Sequence, residues 1–144
     1  MSPSNRDLHV PVIAIWLVTG SAYVIWFGVE DRSLAPIVCL AALTCGAVGL
    51  TGFARIKHEP QTPRARGALV RAALTGVICG AGVGPVASLL ILIKTGLHSH
   101  VVPDFDLPDV LQVLRVSPAW ALAGGLIGLA LGLLAPGHGA SAQR

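Results

Sequence analysis

The side chains best able to do chemistry gather in one short stretch. His98 and His100 are followed by Asp104, Asp106 and Asp109. Imidazole and carboxylate together suit Zn²⁺ or another first-row divalent ion. In an extended strand an H-x-H pair puts both rings on one side. His98, His100, Asp104 and Asp106 are therefore the candidate metal ligands. The pattern has no H-E-x-x-H, no fixed fourth ligand and no evident partners to orient the ligands. A polar loop at the level of lipid headgroups accounts for the same residues more simply. A quinone, haem or lipid contact is a third reading, and the sequence identifies no cofactor. No Ser-His-Asp arrangement, phosphate loop or catalytic carboxylate pair is recognisable, so no enzymatic activity is expected.

The three cysteines, Cys39, Cys45 and Cys79, lack metal-ligand spacing such as C-x-x-C. All fall within apolar runs, where small residues that pack well are the simplest reading.

The elements around the His/Asp stretch are apolar. Hydrophobic residues make up 53% of the chain and charged residues 12%. Soluble domains carry roughly 25% charged residues, so a water-exposed globule could not be clothed. Four runs are each long enough to cross a hydrocarbon core of roughly 30 Å. They cover residues 10–29, 34–53, 68–93 and 118–135. Between the last two, residues 106–116 read as a short amphipathic helix. Leu107, Val110, Leu111 and Leu114 fall at i, i+3, i+4 and i+7, with Asp106 as N-cap and Pro108 in the first turn. At roughly ten residues it cannot span, so it should lie along the interface or cap the bundle. The fold class is thus all-α: an integral membrane four-helix bundle, one transmembrane domain over residues 1–144.

Residues 1–9 read as a polar tail. The first run is longer than a signal-peptide core and has one basic residue before it, which suggests a retained helix. Trp26 and Phe27 near its end suit the interfacial aromatic belt. Trp16, Gly20, Tyr23 and Phe27 share one face and read as a packing stripe.

The net charge is +3. No basic and aromatic residues interleave as a nucleic-acid module requires, so no nucleic acid is expected. Arg6, Arg55, Lys57, Arg64, Arg66, Arg71 and Arg144 fall on one side of four spans. Arg32, Lys94 and Arg115 fall on the other. The positive-inside rule then puts both termini and the 54–67 loop in the cytoplasm, with Lys94 and Arg71 near enough to span ends to snorkel.

Glycines mark the expected contacts. Gly76, Gly80 and Gly84 stand four apart in the third run, and Gly124, Gly128 and Gly132 four apart in the fourth. Such ridges let backbones approach closely in lipid, within a chain or between copies. Gly46, Gly49 and Gly52 recur every third residue in the second run. Pro85 should kink or loosen the third helix.

Few ionisable residues lie within spans, which disfavours a lone transporter or pump. The expected function is an accessory or assembly subunit of a larger membrane complex. Its partners would be membrane lipids and other membrane subunits, or further copies of itself. A small transporter or channel component, or a metal- or cofactor-binding protein using His98 and His100, are the alternatives.

Overall fold

The computed structural model describes residues 3–28, 33–58, 65–97 and 105–134. Among these every regular element is a helix: α1 (Pro3–Phe27), α2 (Leu34–His58), α3 (Ala65–Leu97), α4 (Leu107–Arg115) and α5 (Ser117–Leu134).

Three stretches are long and apolar enough to cross a membrane: Leu34–Ala54, Gly67–Leu97 and Leu107–Leu134. The apolar part of α1, Pro11–Phe27, is shorter, within the 10–17-residue range at its upper limit of 17. This lies at the low end of what spans. The helix itself starts at Pro3, within the expected tail, and runs through Pro11.

The apolar run of α3 is the longest, and most of the packing is against it. α5 lies along it most extensively, then α2 and α4; α1 packs on α2. Among the described residues, α1 and α5 make no extensive contact. The helices therefore form an open row rather than a ring closed between first and last. Ile37, Leu40, Ala41 and Cys45 of α2 meet Val83, Ala87, Leu90 and Ile91 of α3 in the buried core.

Hydroxyl groups fasten α1 to α2. The Tyr23 hydroxyl lies 2.8 Å from Thr44 Oγ1, and Trp16 Nε1 donates to Thr51 Oγ1 at 3.3 Å. Both threonine hydroxyls donate to carbonyls one turn back, Thr44 to Leu40 and Thr51 to Ala47. Their lone pairs are then free to accept from the ring donors of α1. Thr19, Thr75 and Ser88 bond back to their own helices in the same way.

The amphipathic helix packs on the rest of the chain through its valines rather than its leucines. Val113 is buried and Val110 half-buried, whereas Leu107, Leu111 and Leu114 are exposed. The reason lies in α3: the Val113 carbonyl and Ser117 side chain settle against Gly84, which turns the leucine stripe outward. α4 thereby continues the line of α5 along α3. Only a turn at Val116 separates them, and Trp120 N–H donates back to the Val116 carbonyl at 3.2 Å. Pro118 has no N–H to continue the ladder from α4. Pro85 does not end α3, which runs on to Leu97 with Pro85 on its exposed face.

Candidate functional site

Of the candidate metal ligands, His98, His100 and Asp104 lie outside the described residues. Asp106 is the N-cap of α4, as its position before Pro108 predicts. Its backbone N–H donates to the Asp109 carboxylate at 3.0 Å. Asp109 thus satisfies a helix-end donor and sits where the dipole favours negative charge. Among the described residues no three His, Cys, Asp or Glu side chains gather as a metal site would need.

The two glycine ridges meet each other. A methyl group on Gly76 would fall onto the Gly124 carbonyl, 2.8 Å from its carbon, and one on Gly80 would fall onto the Trp120 carbonyl, also 2.8 Å from its carbon. The fit is reciprocal: a methyl on Gly124 would strike the Gly76 carbonyl, and one on Gly128 the Ala72 carbonyl. Gly84 takes Ser117 and the Val113 carbonyl into its notch, and Gly132 faces Leu69 and Ala72. All six glycines therefore serve one antiparallel seam within the chain. Backbone rests on backbone there, and any side chain would hold the helices apart.

The glycines of α2 behave differently. A methyl on Gly49 would stand 3.2 Å from Cys79 Sγ, and one on Gly52 would stand 3.7 Å from Thr75 Cγ2. A methyl on Gly46 would meet nothing within 4 Å. Gly46 opens onto a cleft of about 270 Å³ between α2 and α5, with α3 as its floor. Cys45, Gly49, Thr75, Cys79 and Ile127 are among its walls. The lining is almost wholly apolar. The cleft exists because the glycine seam draws α5 onto one face of α3 while α2 takes another, leaving small residues between them.

Lys94 does not snorkel. It is 2% exposed, and its ammonium lies 4.7 Å from the centre of the Trp26 ring. Trp26 is itself buried, beside Phe27 at 5.0 Å between ring centres, rather than spread in a lipid-facing belt. An ammonium over an indole face is attracted by the ring quadrupole. Trp26 Nε1, Thr95 Oγ1 and Ser117 Oγ are buried with no hydrogen-bond partner among the described residues.

Sequence patterns did not signal the Lys94–Trp26 stack, because the two residues are far apart in the chain. The cleft left one trace: the three-residue glycine spacing of α2, which serves contact at Gly49 and Gly52 and empty space at Gly46. The cleft holds no nucleophile–base pair and no charge, so on its own it suits apolar contact rather than catalysis. No family model, curated protein or solved structure matches this chain.

Proposed function

We propose that this chain is a small multi-pass membrane protein serving as an accessory or assembly subunit of a larger membrane complex. The observation that carries this reading is the open row of helices. α1 is attached chiefly through α2, with Trp26 reaching Lys94 of α3, and Ile13, Leu17, Val18, Val24 and Ile25 on it are exposed. Lipid can cover such a face, and so can the helices of a partner. The glycine ridges are spent on the chain's own α3–α5 seam, so a partner would be met by α1 and the outer side of α2. The basic loop between α2 and α3 and both termini would face the cytoplasm, in keeping with the excess of Arg and Lys there.

A transport role has less support. Among the described residues the buried charge is Lys94, near the end of α3 rather than at mid-span. The cleft between α2 and α5 is apolar and offers an ion nothing to replace its water.

The test is cross-linking in intact membranes followed by native mass spectrometry of the gently extracted protein. A photoreactive residue replacing Leu17 should trap a different membrane protein, and the same partner should co-migrate after extraction. A trapped product containing only this chain, together with an extracted monomer or homo-oligomer, would overturn the reading.

A further inference from the structure

Close contacts level the helices against one another. Gly49 faces Cys79, Gly52 faces Thr75 and Gly82 faces Cys45, so α2 and α3 run antiparallel in a fixed register. Gly84 meets Ser117 and the Val113 carbonyl, which puts α4 and α5 on the same scale. The apolar run Leu34–Ala54 of α2 has 21 residues, close to what a hydrocarbon core requires, and so serves as the ruler. Cys45 lies roughly 16 Å along the helix from Leu34, and Gly84 lies roughly 3 Å nearer that end than Gly82 does. Ser117 is therefore level with a point roughly 13 Å inside the Leu34 end, and Arg115 with one roughly 10 Å inside.

α4 is held at this level from both ends. Val113 is buried, and Phe105, just before the helix, is buried in the same core cluster as Leu90 and Ile91. The helix thus stands beside the Leu97 half of α3. Its valines face the protein, and Leu107, Leu111 and Leu114 form a second, exposed face. Gln112 and Arg115, neighbours at i and i+3, are exposed on a third. The Asp109 carboxylate is occupied at the start of the helix. Gln112 and Arg115 have no hydrogen-bond or ion-pair partner among the described residues.

A guanidinium stays charged at any accessible pH, and below the surface of a bilayer it needs a counter-charge or water. The headgroup layer adds roughly 5 Å beyond the hydrocarbon edge, so the nearest phosphates lie roughly 15 Å along the membrane normal from Arg115. That is longer than an arginine side chain, so snorkelling does not reach them. A second copy related by a two-fold axis along the membrane normal would set like charges at equal depth. A carboxylate carried at that depth by a different helix matches both the charge and the level, and a bidentate pair with the guanidinium would fix its register.

We propose that the Gln112–Arg115 side of α4 docks a membrane-spanning helix of another protein, with Arg115 paired to an Asp or Glu within that helix. The proposal rests on the accessory-subunit reading and adds a second contact, at the opposite end of the helix row from α1.

The test uses the full chain in its own membranes. A photoreactive residue replacing Leu111, exposed one turn from Arg115, should trap another membrane protein through a peptide that lies in an apolar span and contains Asp or Glu. Arg115→Gln keeps most of the bulk and removes the charge. It should lower the share of extracted protein that carries this partner in native mass spectrometry by about tenfold or more, as breaking a buried ion pair does. Arg115→Glu should also lose the partner, and replacing the partner's acidic residue by Arg should restore it. An unchanged share with Arg115→Gln would overturn the proposal, as would a trapped product made of two copies of this chain. So would fast reaction of Arg115→Cys, in a background without other cysteines, with a membrane-impermeant maleimide, which would line this face with water instead. Cross-linking from Leu17 separates the two readings. A partner trapped from Leu17 but not from Leu111 overturns this contact alone, and no partner from either position overturns both.

Discussion

A buried ammonium among apolar helices needs a reason, and Lys94 has a structural one in Trp26. The four-carbon stem lies among apolar neighbours while the charge rests over the indole at 4.7 Å. Replacing the charge while keeping the volume, as in Lys94→Met, should lower stability by about 1–2 kcal/mol, the range for a desolvated cation–π contact. Lys94→Arg should keep most of it, because the guanidinium also stacks on indole. Reversible unfolding in mixed micelles, followed by helical circular dichroism, measures both; equal losses for the two variants would show that the charge over Trp26 is not what matters. The hydroxyl pairs of α1 and α2 belong to this scale too. Tyr23→Phe removes one interhelical hydrogen bond and leaves the ring packing intact. Such bonds average about 0.6 kcal/mol in membranes, so a small loss is expected in the same assay; no change would show that this bond adds nothing to the α1–α2 contact.

The α3–α5 seam shows how two helices are paired by what they lack. Gly76, Gly124 and Gly128 each meet a carbonyl of the opposing helix, so even a methyl group forces the backbones apart. Alanine at any of the three should cost about 1–3 kcal/mol or more, as overpacking does in rigid interiors. Alanine at Gly46 should be neutral or stabilise α2 by up to about 1 kcal/mol, since it adds helix propensity and meets nothing. Ranking the four variants by resistance to denaturant checks the register directly: a Gly46→Ala protein as unstable as Gly124→Ala would mean that α2 packs elsewhere. The seam also decides the fate of the amphipathic helix. Its period marked out an apolar face without saying what that face meets; Gly84 admits the backbone at Val113, and so the valines turn inward.

At the scale of the whole molecule, whether α1 crosses the membrane decides on which side the N-terminus lies. A chain with three crossings would leave its N-terminus on the opposite side from residues 59–64, whereas four crossings place them together. Single cysteines introduced at Ser2, Gln61 and Ser141 in a background with Cys39, Cys45 and Cys79 replaced can be tested with a membrane-impermeant maleimide. The four-span reading expects all three to react from one side and a cysteine at Val101 from the other. A cysteine at position 2 that reacts from the same side as the one at Val101 would make α1 a surface-lying or partner-bound helix. The same experiment tests the orientation drawn from Arg and Lys, because the side on which Gln61 reacts in sealed vesicles of known polarity is the cytoplasmic one only if the positive-inside rule holds.

The helices themselves were legible in the residues. Long apolar runs with few charges require backbone groups to be satisfied within each segment, and only helices do so along a single strand of chain. The start of α4 was legible as well, from Asp106 and Pro108, whereas α1 begins within the expected polar tail and α2 runs on past its apolar run to His58. The glycine spacing announced close contact, but not whether it joins two helices of one chain or of two, because small residues carry no partner identity. Which face of α4 turns inward, why Lys94 is buried, and that Gly46 opens a cleft while Gly49 three residues on makes a contact were settled only in three dimensions. Each depends on the relative placement of helices distant in sequence. In lipid, hydrophobic patterning cannot supply that information, since the solvent is as apolar as the core and every face of a helix reads alike.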